Sequence, residues 1–259
     1  MAYLESDFHA VGRMESVTLD QMKSVSLMNR IDTKFVTSVP ILMKILDDAC
    51  SARYMVCEIS GSRLLRYTSV YYDTDDLEMF RIHRNGKKTR QKIRIRTYHI
   101  NNVTYLEIKN RKNTGRTKKK RILLPEGGRD SFMSDKETME FFERHSRYPA
   151  DWIAPETSTD FHRITLTDKD LTERITIDVD LNFVNHRNGE AARIDNLVII
   201  EVKQDGRNVS QMSRILLKHR VFPYRVSKYC LSVISTEPDV LPGRYKEKLR
   251  YIHKITEHK

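Results

Sequence analysis

Cationic side chains recur at every second position between Lys87 and Leu124, and this spacing carries the most legible chemistry in the chain. The stretch reads KKTRQKIRIRTY, then TYLEIKNRK, then TKKKRILL. Successive side chains of a strand point to opposite faces. Lys92, Arg94 and Arg96 therefore share one face, with Ile93 and Ile95 on the other. In the next run Glu107, Lys109 and Arg111 share a face against Leu106 and Ile108. Guanidinium and ammonium groups on one face of a sheet must either sit in water or hold an anion. Arg gives planar, bidentate recognition of phosphate oxygens and Lys a point charge. The mixture suits a string of phosphates better than a single carboxylate. Glu107, and Glu201 in the late run VIIEVKQDG, are the strand-borne acids available to hold Mg²⁺ or Mn²⁺, hard cations that bridge carboxylates to phosphate oxygens.

The same parity returns along the chain. Lys34, Arg94 with Arg96, Glu107 with Lys109, Lys118 with Lys120, Arg163, Arg174, and Glu201 with Lys203 are read onto one face. Phe35, Ile95, Ile108, Leu123, Ile164, Ile175 with Ile177, and Ile200 with Val202 are read onto the other. The elements that must position them are about eight strands in hairpin-like order, with helices at intervals. Asn29–Thr37, Tyr54–Ile59, Leu64–Asp73, the three opening runs, Phe161–Thr167, Arg174–Phe183 and Arg193–Lys203 read as strands. Asn188-Gly189 marks a hairpin turn, and Gly127-Gly128 another turn. Asp75 with Glu78 and Ser134 with Glu137 fit capping boxes, and Ser210 and Ser227 open later helices. Pro242-Gly243 precedes a final basic helix over Arg244–Ile255. The fold class is α+β. A flat sheet with its charged face in water gives the same parity. A closed antiparallel β-barrel with a charged lumen and helices on its apolar outer face also accounts for the helices.

In the barrel the cations would converge. Close like charges repel by roughly several kcal/mol per pair at an effective dielectric of about 20. Asp32, Glu107 and Glu201 are too few to neutralise the set, so a polyanion is the natural occupant. Composition agrees: 46 Lys and Arg stand against 35 Asp and Glu, a formal charge of +11 over 259 residues, which favours an anionic partner. Nucleic acid is disfavoured, because a base-stacking platform needs aromatics on the basic face. Cys50, Cys57 and Cys230 have no metal spacing and read as free thiols in a reducing compartment. The N-terminus shows no signal core and no stretch is long and apolar enough to span a membrane, so a cytoplasmic location is expected. No GxxxxGK[ST], HExxH or GxSxG motif occurs. Ser227, at a helix start, suits capping or a phosphate contact better than nucleophilic attack. Tyr71 and Tyr72 read as core aromatics.

Several runs taken together resemble a known family: YYDTDDLEMFRIHRNGKKTRQKIRIRTY, TYLEIKNRKNTGRTKKKRI, FHRITLT, ERITIDVDL, VIIEVKQDG and RVSKY. They are similar to the catalytic domain of the vacuolar transporter chaperone (VTC) polyphosphate polymerases, within the triphosphate tunnel metalloenzyme or CYTH-like superfamily. The resemblance covers about residues 25–235 of a single domain over 1–259. It implies an antiparallel tunnel and transfer of the γ-phosphate of a nucleoside triphosphate, ATP first among them, to a polyphosphate chain. Carried over motif by motif, Lys34, Arg94, Arg96, Lys109, Arg163, Arg174 and Lys203 would line the catalytic tunnel. Arg30, Glu107, Arg225, Ser227 and Lys228 would contact substrate, and Glu201 would hold Mn²⁺ or Mg²⁺. Hydrolytic superfamily members open with E-x-E-x-K; here the stretch is Arg30-x-Asp32-x-Lys34, and Ile199-x-Glu201 offers one late acid. Fewer carboxylates disfavour a two-metal hydrolase. Tripolyphosphate hydrolysis and non-catalytic polyphosphate or nucleotide binding stand as alternatives. In the family, further parts couple synthesis to translocation, which leaves room for a membrane-protein partner.

Overall fold

The computed structural model describes residues 3–23, 30–125, 132–206 and 210–257. Its strands are β1 Ser16–Val17, β2 Arg30–Ser38, β3 Met55–Cys57, β4 Leu65–Thr74, β5 Arg90–Tyr98, β6 Val103–Arg111, β7 Thr117–Leu123, β8 Ile153–Thr167, β9 Glu173–Asn185, β10 Ala191–Ile194 and β11 Leu197–Asp205. Helices are α1 His9–Arg13, α2 Leu19–Lys23, α3 Val39–Ser51, α4 Glu78–Arg84, α5 Lys136–His145, α6 Gln211–Lys218, α7 Lys228–Thr236 and α8 Lys246–Glu257. The main sheet runs β2-β11-β9-β8-β4-β5-β6-β7, and every pairing along it is antiparallel.

Alternation decides which face each residue takes, and burial follows it. Ile93, Ile95, Leu106 and Ile108 face outward and are covered by Phe132 and by Phe142 of α5. Ile164, Ile175, Ile177, Ile200 and Val202 meet Leu42, Ile45 and Leu46 of α3 and Met212 and Leu216 of α6. Each of these fully buried aliphatic side chains contributes about 1.5–3 kcal/mol of burial energy. The sheet curls about its other face. Lys109 on β6 is electrostatically coupled to Glu201, Lys34 and Asp32 at the far end of the strand order. The expected antiparallel, helix-covered sheet with a charged concave face is therefore what the chain forms, with one correction to the closed barrel. Among the described residues β2 and β7 are not hydrogen-bonded to each other, so the sheet curls without closing.

Helix α7 takes a different position from α3, α5 and α6. Its Tyr229, Leu231 and Val233 cluster with Val36, Phe161, Leu181, Phe183, Leu197 and Ile199. Val36 and Ile199 share the parity of Lys34 and Glu201, so α7 fills the apolar part of the concave side and its N-terminus meets the charged part.

Several local expectations change. Helix α4 is not opened by Asp75 with Glu78. Asp73, fully buried, accepts from the backbone N–H of Met79 (2.9 Å) and Phe80 (2.8 Å), and Thr74 Oγ1 accepts from that of Glu78 (3.0 Å). Asp135, not Ser134, caps α5 through the N–H of Thr138 at 2.9 Å. Ser210 and Ser227 cap α6 and α7 as expected. Strand β8 begins at Ile153, earlier than its Phe161 start in sequence, because Pro155 sits where β8 pairs with Tyr72 at a register shift. The run Arg193–Lys203 breaks at Asn196, whose φ of +58° turns β10 into β11; the Asn188-Gly189 hairpin forms between β9 and β10. The Gly127-Gly128 turn, the end of the segment before β2, and the side chain of Arg30 lie outside the described residues. No described helix is long and apolar enough to cross a membrane. Cys50, Cys57 and Cys230 are free thiols.

Candidate functional site

The concave face is built of successive cross-strand rows. On β5 and β6 the inward pairs are Arg96 with Tyr105, Arg94 with Glu107, Lys92 with Lys109, and Arg90 with Arg111. On β2, β11 and β9 they are Lys34 with Glu201 and Thr176, and Asp32 with Lys203 and Arg174. Three carboxylates organise the cations.

Glu107, 2% exposed, receives Arg94 through Nε at 2.8 Å and Nη2 at 2.5 Å, and also Lys119. Burial alone would raise its carboxyl, but Arg94, Arg96 and Lys119 hold it well below the usual range. Asp178 receives Arg163 in a two-pronged contact, Nε at 2.6 Å and Nη2 at 2.9 Å, together with Lys228 from the start of α7. Burial again opposes ionisation and the two cations overcome it. Glu201 lies 3.2 Å from Lys34 Nζ and 2.8 Å from Lys203 Nζ, which likewise outweigh burial and hold it ionised.

These carboxylates leave cations in excess. Lys109 and Arg174 have no ion-pair partner among the described residues, and the buried Nε of Arg174 has no hydrogen-bond partner. Arg96, 6% exposed, donates from Nε to Ser69 at 2.9 Å and lies over the rings of Phe161 and Tyr67. Lys92 Nζ donates to Ser227 Oγ at 2.7 Å, the same hydroxyl that caps α7, so the helix N-terminus faces the cationic cluster. Burial pushes Lys92, Lys203, Lys228 and Lys119 down to about 8, with neighbouring cations adding to it. Such a set gains from any polyanion that replaces lost water and offsets the repulsion.

Most of the residues singled out from sequence converge here: Lys34, Arg94, Arg96, Glu107, Lys109, Arg163, Arg174, Glu201, Lys203, Ser227 and Lys228. Two others stand apart from this set. Arg30 opens β2 opposite Asp205, in strand phase with Asp32 and Lys34, and its side chain lies outside the described residues. Arg225 is exposed at the rim, where its carbonyl accepts from Lys248. On β7 the expected parity is off by one. Lys119 and Arg121 pair with Lys109 and Glu107 on the inner face, and Lys118 and Lys120 share the outer one. Leu123, read onto the apolar outer face, pairs with inward-facing Tyr105 and is exposed.

Two functional groups escaped the sequence reading. Asp178 is in phase with Arg174 and Thr176, so strand parity alone could have found it. Tyr71 and Tyr72 are core aromatics as expected, Tyr72 in the outer core and Tyr71 in the cluster around α7, but the Tyr71 hydroxyl in addition faces Arg94 at 3.4 Å. Burial would raise that hydroxyl, yet Arg94, Arg96, Lys92 and Lys228 bring it down to about 7. A separate surface cavity lined by Tyr3, Phe8, Met43 and Arg193 lacks this charge excess, because Arg193 is paired with Asp180 and Asp195.

The model of the VTC domain family matches residues 29–236. Among solved structures, the chain is similar to a candidate adenylate cyclase from Bacillus halodurans at 12% identity and a TM-score of 0.52, covering 77% of this chain and 96% of that one. It is also similar to a candidate adenylyl cyclase from Hippeastrum with a dominant triphosphatase activity, at 13% identity and a TM-score of 0.51, covering 82% and 98%. At these identities the likeness is one of fold. No curated protein matches the chain.

Proposed function

The chain belongs to the VTC domain family, and on that premise we propose that it transfers the terminal phosphoryl group of a nucleoside triphosphate, ATP first among them, to a polyphosphate chain bound in the tunnel. The observation that carries this reading is the excess of inward-facing cations over the inward carboxylates Asp32, Glu107, Asp178 and Glu201. Phosphoryl transfer needs positioning and charge stabilisation more than covalent chemistry from the protein. Arg94, Arg96 and Lys109 would bind the donor's phosphates. Arg163, Arg174, Lys34 and Lys203 would surround the transferred group. Ser227 and Lys228, at the α7 N-terminus, would hold the acceptor chain. The triphosphatase activity of the Hippeastrum relative is compatible with a triphosphate as the ligand of this tunnel.

The metal question turns on Glu201. Among the described residues no group of His, Cys, Asp and Glu forms a three-ligand cage. One carboxylate plus substrate phosphates is nevertheless a donor set that Mg²⁺ or Mn²⁺ accepts, because such ions keep waters and bind through few carboxylates. Glu201, and not Glu107, fits that role, since Glu107 is held by Arg94 and Lys119 in a nearly closed environment. When bound, a divalent ion supplies charge neutralisation on the phosphates. Lys34 and Lys203, released from Glu201, would then turn to phosphate oxygens.

The test is purified protein with ATP and Mn²⁺ or Mg²⁺, with and without a short polyphosphate primer. ADP release matched by long-chain product on a gel is the expected result. Orthophosphate release without chain growth would favour hydrolysis, and binding without turnover would favour a carrier module. Absence of both ADP and polymer would overturn the reading.

A further inference from the structure

The inner rows of β5 and β6 continue past the proposed transfer site to the end of the strands. There Arg90 and Arg111 stand directly opposite each other, a like-charge pair that destabilises a sheet unless something offsets it. Among the described residues no carboxylate does. Among the described residues Arg90, Arg111, Arg225 and Lys248 have no ion-pair partner. Buried Nε of Arg111 and buried Nδ1 of His83 on α4 also lack hydrogen-bond partners. The His83 imidazole is surrounded by Lys92, Arg90, Lys248 and Arg111, which add to burial in keeping it neutral. Arg90 in turn feels Arg111 and Arg225, and Lys248 feels Arg225. The Arg90–Arg111 row follows the Lys92–Lys109 row without an intervening acid.

We infer that this rim, formed by Arg90, Arg111, His83, Lys248 and Arg225, is a second phosphate subsite that holds the part of a polyphosphate chain emerging from the tunnel. The inference rests on the tunnel reading above and deepens it. Successive inward residues are about 7 Å apart along a strand. Two such steps separate Arg94 from Arg90, further than one triphosphate reaches when its phosphates are engaged at Arg94 and Arg96. A longer chain covers both. Contacts to added phosphates release further counterions and steepen the salt dependence of binding. The neutral imidazole of His83 offers a hydrogen bond where another cation would add repulsion. Polyphosphate is favoured over a nucleic acid because the rim continues an unbroken row of cations along β5.

The experiment compares the Kd of tripolyphosphate with that of a polyphosphate several times longer, by calorimetry at two salt concentrations. Wild type, R111Q/K248Q and the charge-retaining R111K are measured, each checked by thermal melting. In wild type the long chain binds at least tenfold more tightly than tripolyphosphate. In R111Q/K248Q that ratio drops to threefold or less with a shallower salt slope, and R111K recovers most of it. An unchanged ratio in R111Q/K248Q, with tripolyphosphate binding intact and sensitive to R94Q, overturns the rim subsite alone. Tripolyphosphate that fails to bind wild type, or is indifferent to R94Q, overturns the tunnel reading itself. An oligothymidylate of matched charge serves as the third ligand. If its affinity falls by the same factor in R111Q/K248Q, the rim is a general polyanion patch and the assignment to polyphosphate is overturned.

Discussion

Replacing Asp178 by Asn should destabilise the protein and at the same time make it more responsive to a polyanion. Asp178 is 3% exposed and takes both prongs of Arg163 and the ammonium of Lys228. The amide keeps the shape and removes the charge. Arg163 and Lys228, both seated on that carboxylate, then repel each other by about 3 kcal/mol at an effective dielectric of about 20. This agrees with the ~3–5 kcal/mol lost when one partner of a buried ion pair is deleted. For a chain of this size, ~3 kcal/mol lowers the melting temperature by about 6–12 °C. Lys228 limits the penalty, because burial already pushes it down to about 8 and it can shed its proton. The deficit of D178N relative to wild type should therefore be larger at pH 6, where Lys228 is charged, than at pH 9, where it is largely neutral. Thermal melts at both pH values, with and without tripolyphosphate, measure all of this. A ligand that supplies the missing negative charge should raise the melting temperature of D178N by more than it raises that of wild type. A loss below 2 °C at pH 6, or equal ligand shifts in the two proteins, would refute the view of Asp178 as a built-in counterion.

Tripolyphosphate affinity should weaken as pH rises above 8. Lys92, Lys203 and Lys228 are charged below that value and lose their protons through it in the free protein. Binding should raise their pKa again, so calorimetry at pH 8.5 in buffers of different ionisation enthalpy should report proton uptake, reduced in K203Q/K228Q; an identical uptake would count against the lysines. Glu201→Gln should lower metal-dependent ADP release about 100-fold or more, the scale of losing one electrostatic element of a transition-state site. It should also leave metal-free tripolyphosphate binding equal or tighter, since Lys34 and Lys203 are released, and weaker binding would contradict this. Tyr229→Phe removes the hydroxyl that donates to buried Asp73. A loss of about 1–3 kcal/mol in a urea melt is expected, with weaker binding of the phosphate chain because α7 carries Ser227 and Lys228; full stability in the variant would argue against this anchor.

Much of the tunnel was legible because a strand's period of two is unambiguous wherever charges alternate with aliphatics. Arg94 and Arg96 between Ile93 and Ile95, or Lys109 beside Ile108, permit one phase only. The run Thr117–Arg121 permits two, since Lys118, Lys119 and Lys120 are all charged. Only its register against Glu107 and Lys109 chooses Lys119 and Arg121 for the interior. The strand period sets Asp178 and Asp180 of TIDVDL in the same phase, so parity points to both. The irregularity near Asp180, whose φ is +56°, separates them: Asp178 meets Arg163, and Asp180 meets His162 and Arg193. The caps of α4 and α5 were misread for a similar reason. Capping boxes score neighbours in sequence, whereas Asp73 reaches the first turn of α4 from the end of β4. The place of α7 on the concave side depends on long-range packing against Phe183, Leu197 and Ile199, for which its own amphipathic pattern gives no direction.

Among the described residues the outer edge of β7 is unpaired, which has a consequence for how molecules of this protein meet one another. An edge strand offers a row of free peptide groups to any other strand that approaches, and natural sheets defend such edges with charge, lysine above all. Lys118 and Lys120 point to one side of β7 while Lys119 and Arg121 point to the other, so an incoming strand meets positive charge whichever face it presents. The phase of this run, undecidable by eye, is the same property that keeps the edge from templating association, and colloidal stability is built into the wall of the tunnel.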